Sequence, residues 1–415
     1  MEYGLIGEHL GHSFSREIHG MLSSDSYQLH EVAKEELDSF MRNADFKAIN
    51  VTIPYKQAVI PYLSHISDEA KAIGAVNTIV NLDGKLYGYN TDFEGLRLMA
   101  IRAGIDFKGR DVLVLGVGGA AKTAHAVAAS LGAATITHAA RKPGDDDIDI
   151  YSLKGGGQKL NYHIIINATP VGMFPNSSDR VADLDMFPNL EGVLDCIYNP
   201  LRTNLVLDAL QKGVKAEGGL YMLVAQACFA RNYFVGANLG MDDIEKVYGR
   251  ILSDKQNIVL SGMPSCGKST IGKALAERSG KRFVDTDALI VERAGKEIPL
   301  IFKEEGEQAF RDMESAVIKE LSEKQGLIIS LGGGAVLRSE NVRNLKLNGK
   351  IFFIDRKLEL LTATNDRPLS SNADALREMY VRRLPVYKAA ADYIIENNLD
   401  INKSIEHLSN IISQF

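Results

Sequence analysis

The chain has no tryptophan, only three cysteines and no apolar run of the roughly 18–20 residues that a membrane span needs. Cys196, Cys228 and Cys266 are odd in number and show no pair spacing, which is against a disulfide framework or a zinc site. The nine histidines form no ligand-like cluster, and the N-terminus has neither a basic region nor an apolar signal core. These absences predict a cytoplasmic protein without a structural metal.

Positive and negative side chains are nearly balanced, with 47 lysines and arginines against 53 aspartates and glutamates. The net charge of −6 is against a general nucleic-acid binder, so local positive groups must hold any anionic ligand. With 45% hydrophobic and 24% charged residues, the composition is that of a soluble globular protein. A length of 415 residues predicts two or three domains. We expect small-molecule partners, with no nucleic acid and no membrane, and the oligomeric state stays open.

One phosphate-binding pattern lies at residues 262–269, which fit G-x-x-x-x-G-K-[ST]. An apolar strand-like run precedes it and a helical pattern follows, which is the context that a phosphate loop requires. Loop N–H groups and the helix dipole would point at a polyphosphate. Lys268 would reach the β- and γ-phosphates of ATP, and Ser269 would meet Mg²⁺. The alternative is a chance glycine-rich turn. The predicted nucleotide contacts are Gly262, Gly267, Lys268, Ser269 and Thr270.

A second glycine pattern, G-x-G-x-x-A, lies at residues 116–121 between a predicted strand, 111–115, and a predicted helix, 122–131. The pattern alone is weak, but this context is typical of a dinucleotide-binding turn. Further strands alternate with helices to residue 217, which predicts a parallel, doubly wound sheet. The predicted cofactor contacts in the turn are Gly116, Gly118, Gly119 and Ala120.

The end of the next strand predicts which dinucleotide binds. An enzyme that uses NAD usually has an acidic residue there for the ribose 2′-hydroxyl, whereas this chain has Ala140, Arg141 and Lys142. Two positive charges suit a 2′-phosphate, so we predict NADP(H) rather than NAD. The alternative is that Arg141 and Lys142 form a solvated strand end.

Domain organisation follows from where these patterns lie. Residues 1–100 are mixed α/β, with strands predicted at 27–32 and 48–52 and a hairpin at 78–89 around Asp83-Gly84. The helical segment 218–252 is expected to pack back on this region. The polar stretch 253–256 is the predicted main boundary. The fold class is therefore α/β: a split α/β substrate domain at 1–100 plus 218–252, an inserted Rossmann-like NADP domain at 101–217, and a P-loop domain with a parallel sheet at 253–415.

Six short motifs show a resemblance to a known family. They include a pair of serines, a lysine after N-V-T-x-P and a late glutamine in an apolar helix. The motifs are H-S-x-S at 12–15, N-V-T-x-P-x-K at 50–56, G-A-V-N-T at 74–78, N-T-D at 90–92, N-A-T-P-V-G-M at 167–173 and G-L-Y-M-L-V-A-Q at 219–226. Together they resemble shikimate dehydrogenase over about residues 1–252.

The resemblance implies roles for individual residues. Lys56 and Asp92 would form the catalytic pair, and Thr169 would contact the cofactor. Ala140 and Lys142 depart from the Asn-Arg-Thr or Asn-Arg-Ser that the family often has, so two polar contacts to the 2′-phosphate would be missing. Ser13 and Ser15 would bind the substrate carboxylate, and Thr52, Asn77, Asp92 and Gln226 its ring hydroxyls.

The chemistry is also reasonable without the family. Reduction of a ketone needs a hydride donor and a proton donor at the developing alkoxide, and a lysine ammonium can supply that proton. The alternatives are a surface Lys56, loop or cap roles for Ser13 and Ser15, and a hairpin role for Asn77. Gln226 lies in an apolar helix, where a polar side chain should have a partner.

The C-terminal region contains a second set of motifs. Two carboxylates follow a strand, a helix begins with basic and acidic residues, and a glycine triplet follows another strand. The motifs lie at 283–287, 306–314, 331–334, 366–369 and 383–387. Together they resemble shikimate kinase over about residues 256–415.

By that resemblance, Asp287, Arg311 and Arg383 would hold shikimate, with two guanidiniums gripping its carboxylate. Asp287 would face the attacking hydroxyl, and Gly333 would let the substrate approach the backbone. Asp285 would hold Mg²⁺ with Ser269. Arg367 would lie on a lid over the transferring phosphate of this P-loop kinase domain. The alternatives are a helix pair between Arg311 and Glu314 and a solvated Arg367, and Thr362-Ala363-Thr364-Asn365 replaces basic residues that often precede the lid.

The two implied reactions are consecutive. The first would reduce 3-dehydroshikimate with NADPH and create a hydroxyl, and the second would phosphorylate that hydroxyl with Mg²⁺ and ATP. We therefore expect a bifunctional enzyme of the shikimate pathway. Two rivals are a quinate/shikimate dehydrogenase acting oxidatively and joined to another small-metabolite kinase, and a protein that senses nucleotide without turnover.

Overall fold

The computed structural model describes residues 1–11, 13–155, 157–362, 373–398 and 400–412. The chain divides into two compact units, Met1–Ile251 and Leu252–Phe415. Among the described residues, every helix is too short or too polar to cross a bilayer. Three separate sheets, two in the first unit and one in the second, form the framework.

The first sheet of the first unit is mixed. The predicted hairpin is confirmed, with Thr78 paired to Tyr89 and both Asp83 and Gly84 at positive φ, as a type I′ turn requires. The strand order is β2-β1-β3-β5-β6-β4, with β5 antiparallel to both β3 and β6. The strands are β1 (Tyr3–Gly7), β2 (Tyr27–Glu31), β3 (Ala48–Val51), β4 (His65–Ile66), β5 (Thr78–Leu82) and β6 (Lys85–Tyr89), and the helices are α1 (Ser15–Leu22), α2 (Leu37–Asn43), α3 (Asp68–Ile73) and α4 (Asp92–Arg102).

The second sheet is entirely parallel, which confirms the doubly wound prediction. Its order is β12-β11-β10-β7-β8-β9, so the chain reverses direction across the sheet beside β7. Ligands bind in the crevice at such a switch point. The strands are β7 (Asp111–Leu115), β8 (Thr135–Ala140), β9 (Ile148–Asp149), β10 (Ile164–Asn167), β11 (Gly192–Asp195) and β12 (Lys215–Gly218), and the helices are α5 (Gly119–Ser130) and α6 (Asn204–Gln211).

Helix α7 (Leu220–Val235) belongs to the first unit, and α8 (Met241–Lys255) begins in it and continues for four residues past its last residue, Ile251. Close packing of α7 on α4 depends on Gly95, because a Cβ atom there would lie 2.7 Å from the Met222 carbonyl oxygen. This approach places Gln226 beside the helix that begins at Asp92. Helix α8 ends at Lys255, so most of the polar stretch 253–256 is helical.

The second unit contains a five-stranded parallel sheet in the order β14-β15-β13-β16-β17. Its three central strands, β13, β15 and β16, are buried almost throughout. The strands are β13 (Asn257–Ser261), β14 (Arg282–Asp285), β15 (Leu327–Ser330), β16 (Gly349–Asp355) and β17 (Tyr393–Glu396), and the helices are α9 (Lys268–Ser279), α10 (Thr286–Ala294), α11 (Ile298–Glu304), α12 (Gly306–Ser322), α13 (Ser339–Asn348), α14 (Ala373–Ala390) and α15 (Ile401–Ile412).

Candidate functional sites

The first candidate site is centred on an ion pair. Lys56 lies in the turn after β3 and Asp92 is the first residue of α4, and Lys56 Nζ is 2.6 Å from Asp92 Oδ2. The side chains are only 17% and 9% exposed, so water screens the pair weakly. The Lys56 carbonyl accepts a hydrogen bond from Val76 N, which anchors the turn to the segment before β5. The two residues predicted as a pair are therefore in direct contact.

A buried hydrogen-bond network surrounds Asn77. Its Nδ2 donates to Thr91 Oγ1 at 3.0 Å and lies 3.4 Å from Gln226 Oε1, so Gln226 has the polar partner that an apolar helix demands. Thr91 N donates to Asn77 Oδ1 at 2.8 Å. Asn50 donates to the Asn77 carbonyl, and Tyr27 Oη donates to Asn50. Thr91 was named in a motif without a role, and Tyr27 gave no signal because an aromatic residue in a strand is ordinary.

The two predicted serines contact each other and an aromatic residue that was not predicted. Ser13 Oγ donates to Ser15 Oγ at 3.1 Å, and Ser15 begins α1. Ser13 also hydrogen-bonds Tyr198, whose ring lies 5.1 Å from that of Phe14. Burial raises the pKa of Tyr198, so the phenol stays protonated at neutral pH. Tyr198 follows β11, and a position after the carboxyl end of a parallel strand is a usable signal. Thr52 immediately follows β3, four residues before Lys56.

The glycine turn after β7 adjoins Lys56. Gly116 has φ of 117°, and a Cβ atom there would lie 3.2 Å from the Ala168 carbonyl oxygen, next to Thr169. A Cβ atom on Gly119 would be 3.6 Å from both Cβ and Cδ of Lys56. A Cβ atom on Gly118 would lie more than 4 Å from every described atom outside its own neighbours. The turn thus joins the nucleotide pattern to the ion pair and leaves space for a pyrophosphate.

The other predicted cofactor residues lie at the same edge of the sheet. Ala120 is in the first turn of α5, and Thr169 Oγ1 donates to Asn167 Oδ1 at 2.7 Å. Arg141 and Lys142 are exposed and follow β8 directly. Their charge, with the turn, suits a dinucleotide that carries a 2′-phosphate. At the carboxyl end of β11, burial raises the pKa of Asp195 to about 6, although hydrogen bonds from Thr203, Ile197 N and Asn167 oppose the shift.

The second candidate site begins with the loop between β13 and α9. Gly262, Ser265 and Gly267 all have positive φ, of 145°, 61° and 103°. Lys268 is buried, and its Nζ donates to the carbonyls of Gly262 at 3.0 Å and Met263 at 2.9 Å. The loop therefore curls around the ammonium group, as a phosphate cradle does.

Two oxygen donors meet at the start of α9. Ser269 Oγ donates to Asp285 Oδ2 at 2.8 Å, which brings the predicted Mg²⁺ ligands together. A hydroxyl and a carboxylate are the hard donors that Mg²⁺ prefers, so these residues fit the ion. Asp285 also caps α10, because its Oδ1 accepts hydrogen bonds from Asp287 N and Ala288 N. Asp287 lies in the first turn of α10, past the strand end where the sequence placed both carboxylates. Thr270 is exposed on the first turn of α9.

Arginines surround the glycine triplet after β15. Arg311 Nη1 donates to Glu314 Oε2 at 2.9 Å, so the predicted alternative of a helix pair is present. A Cβ atom on Gly334 would be 2.2 Å from Arg311 Nη1, so the same guanidinium also lies against the triplet. Arg383 Nη1 donates to the Gly333 carbonyl at 2.9 Å.

Two carboxylates approach the triplet as well. A Cβ atom on Gly332 would lie 2.4 Å from Asp287 Oδ1 and 2.8 Å from Glu314 Oε1. Burial raises the pKa of Glu314, and the charge of Asp287 raises it further, although the charge of Arg311 opposes both effects. Glu314 was predicted only as a helix partner of Arg311, because the spacing of three residues indicates that pair but not the burial of Glu314 beside Asp287. Arg367 falls in 363–372, outside the described residues.

Comparisons with known proteins agree with both sets of motifs. The family described as shikimate dehydrogenase substrate binding domain matches residues 5–79, and the shikimate kinase family matches residues 264–413. A shikimate dehydrogenase (NADP(+)) of Clostridium perfringens is 37% identical over 261 residues, 59% of this chain and 96% of that protein.

Solved structures give the same result. Shikimate dehydrogenase 1 from Peptoclostridium difficile is 35% identical with a TM-score of 0.55, and the match covers 60% of this chain and 98% of that chain. The Thermus thermophilus shikimate 5-dehydrogenase, in complex with NADP(H) and shikimate, is 28% identical with a TM-score of 0.53, over 60% and 99% of the two chains. The chain belongs to the shikimate dehydrogenase family and carries a shikimate kinase domain in its C-terminal part.

Proposed function

We propose that this chain is a bifunctional enzyme of the shikimate pathway. Residues 1–252 reduce 3-dehydroshikimate to shikimate with NADPH, and residues 253–415 phosphorylate shikimate to shikimate 3-phosphate with ATP and Mg²⁺. The observation that carries the proposal is the position of Lys56, which pairs with Asp92 at 2.6 Å and lies against Gly119 of the nucleotide turn. A proton donor is thereby adjacent to the place where a hydride donor would bind.

Lys56 acts as the proton donor of the reduction. NADPH, when bound, supplies the hydride to the ketone carbon. The Lys56 ammonium gives its proton to the developing alkoxide oxygen, so that the product carries a hydroxyl. Asp92 accepts a hydrogen bond from the ammonium at 2.6 Å and so holds it in place.

The substrate and cofactor are held by groups on both sides of this pair. Ser13 and Ser15, with Tyr198 beside them, bind the carboxylate of 3-dehydroshikimate. Thr52, Asn77, Asp92 and Gln226 bind its ring hydroxyls, and the network through Thr91 fixes the Asn77 side chain. Gly116, Gly118, Gly119, Ala120 and Thr169 accommodate the dinucleotide, with Arg141 and Lys142 at its 2′-phosphate.

The kinase reaction uses positioning and charge. ATP with Mg²⁺, when bound, supplies the transferred phosphoryl group and neutralises part of its charge. Gly262, Gly267, Lys268, Ser269 and Thr270 hold the phosphates, and Ser269 and Asp285 hold the metal. Arg311 and Arg383 grip the shikimate carboxylate, Gly333 lets the ring approach, and Asp287 orients the attacking hydroxyl. Arg367 adds positive charge at the transferring group.

The cellular setting and domain division follow from the same proposal. Both reactions use soluble metabolites and nucleotides, so the enzyme is cytoplasmic. The first unit consists of a substrate domain, 1–100 plus 218–252, and an inserted NADP domain, 101–217. Residues 253–415 form the kinase domain.

The test measures both half-reactions on one preparation. Lys268→Met removes the buried ammonium of the phosphate loop, so we expect loss of ADP release with shikimate and unchanged NADPH oxidation with 3-dehydroshikimate. Lys273→Met, on the exposed face of the same helix, is the matched control and should retain both activities. Absence of either half-reaction in the wild-type enzyme would contradict the bifunctional assignment.

A further inference from the structure

Two histidines form a hydrogen-bonded pair beside the nucleotide turn. His125 Nδ1, on α5, lies 3.0 Å from His138 Nε2, on β8, and the rings are stacked with centroids 5.2 Å apart. The other nitrogen of His138, Nδ1, lies 2.9 Å from the carbonyl oxygen of Gly116. The pair thus contacts the backbone of the first glycine in the turn, and the proposed function gives it no role.

The contacts determine which nitrogen carries each proton. A carbonyl oxygen only accepts, so His138 Nδ1 must donate to Gly116. In the neutral ring His138 Nε2 is then an acceptor, and His125 Nδ1 must donate to it. A proton added at His125 Nε2 preserves both hydrogen bonds and gives the pair one positive charge. A second proton would bring two N–H groups face to face. The pair can therefore hold one positive charge with both hydrogen bonds intact, but a second positive charge would break the hydrogen bond between the two rings.

The pair lies at the edge of the sheet where the cofactor is expected. Gly116 follows β7, whose last residue, Leu115, is paired with Ala139 of β8. Arg141 follows three residues after His138, about 10 Å along an extended chain. In this fold, residues at the end of the second strand contact the ribose 2′ position of the dinucleotide. At this strand end Ala140 has no polar side chain that could contact a 2′-phosphate.

We propose that the His125–His138 pair is a further determinant of cofactor specificity, which supplies a proton-dependent positive charge that favours a dinucleotide with a 2′-phosphate over one without it. This inference rests on the proposed dehydrogenase function. Preference for NADP over NAD then declines as the pair loses its proton with rising pH.

The surroundings of the pair determine the pH range in which it takes up a proton. Burial lowers the pKa of His125, and the charge of His138 lowers it further. His125 therefore gains its proton below the ordinary histidine range, so the positive charge is present in acidic solution and is lost as the pH rises toward neutral. The other charged groups on the elements packed around the pair are Lys122 on α5, Asp68, Glu69 and Lys71 on α3, Asp92, Glu94, Arg97 and Arg102 on α4, Asp111 on β7, Asp149 on β9, and Arg141 and Lys142 after β8.

The experiment compares binding of NADP⁺ and NAD⁺ to the full chain by calorimetry at pH 5 and pH 8. His138→Asn keeps a donor that can reach the Gly116 carbonyl but cannot titrate, and His125→Asn removes the partner ring. His163→Asn is the matched control, because His163 Nδ1 accepts a backbone hydrogen bond from Asp111 N at the opposite end of β7. The 2′-phosphate ionises in the same range, so each variant is compared with wild type at the same pH.

We expect the ratio of the NAD⁺ and NADP⁺ dissociation constants at pH 5 to fall about threefold in His138→Asn and in His125→Asn, as one screened charge near a phosphate predicts. At pH 8 the ratios should converge with wild type, and His163→Asn should match wild type throughout. Unchanged ratios at both pH values, or equal loss of NADP⁺ and NAD⁺ binding, would overturn the inference. Failure of the proposed function is distinguishable, because neither dinucleotide would then bind the wild-type chain.

Discussion

Replacement of Lys56 by methionine separates the chemical role of the lysine from its structural role. The variant keeps much of the side-chain volume against Gly119 but removes the ammonium that pairs with Asp92 at 2.6 Å. Loss of a positioned proton donor lowers a rate by about 10²–10⁴, which corresponds to about 3–5 kcal/mol of transition-state stabilisation. We expect kcat for 3-dehydroshikimate reduction to fall by that factor, with kinase activity near normal.

The same replacement should also affect folding. It leaves the Asp92 carboxylate, which is only 9% exposed, without its cation. Removing one partner of a fully buried pair is destabilising by about 3–5 kcal/mol, and the 17% exposure of Lys56 places our expectation lower, at about 2 kcal/mol. In Lys56→Met/Asp92→Asn the uncompensated charge is absent, so stability should return while activity does not.

The assay is NADPH oxidation with 3-dehydroshikimate, beside urea unfolding of the single and double variants. Lys71→Met on α3 is the matched control, since Lys71 is exposed and should change neither quantity. Reduction by Lys56→Met above a tenth of the wild-type rate would refute the proton-donor role. Recovery of activity in the double variant would show that the single variant failed only through instability.

Three further outcomes are expected. Arg141→Ala should raise KM for NADPH far more than KM for NADH, and an equal rise for both in steady-state kinetics would show that Arg141 does not read the 2′-phosphate. Gly334→Ala should raise KM for shikimate at least tenfold and KM for ATP little, because the new methyl would lie 2.2 Å from Arg311 Nη1; a normal shikimate KM would contradict the carboxylate clamp. Burial lowers the pKa of Lys281 from 10.5 to about 8, although the charge of Asp254 opposes the shift. Between pH 8 and pH 10.5 the unfolded chain therefore binds more protons than the folded chain, so the free energy of unfolding should rise with pH in this range. Lys281→Met should abolish that rise in chemical unfolding curves taken from pH 8 to 10.5. An unchanged dependence of the free energy of unfolding on pH would refute this prediction.

The parts of the fold that the sequence predicted well are those with local signals. The hairpin at Asp83-Gly84, the glycine turn at Gly116 and the loop before Lys268 each depend on backbone conformations that few residues can adopt, and all three lie where predicted. The alternation of strands and helices was sufficient to predict both parallel sheets.

Features that depend on distant packing were not predictable from these signals. Strand β12 (Lys215–Gly218) has no apolar pattern and forms because it pairs with β11 at the sheet edge. Helix α8 continues to Lys255 because polar residues are ordinary helix formers, so polarity alone did not locate its end. Tyr198 reaches Ser13 from 185 residues away, a contact that only the tertiary fold creates. Glu314 is fully buried beside Asp287, which sequence spacing cannot reveal.

The most direct test of the bifunctional assignment is a coupled reaction with 3-dehydroshikimate as the only carbon substrate, together with NADPH, ATP and Mg²⁺. NADPH loss and ADP release are followed on the wild-type chain and on Lys56→Met. We predict that the wild-type enzyme consumes NADPH and releases ADP in equal final amounts, and that Lys56→Met releases ADP only when shikimate is added. ADP release by Lys56→Met from 3-dehydroshikimate alone, or NADPH loss in the wild type without any ADP, would contradict it.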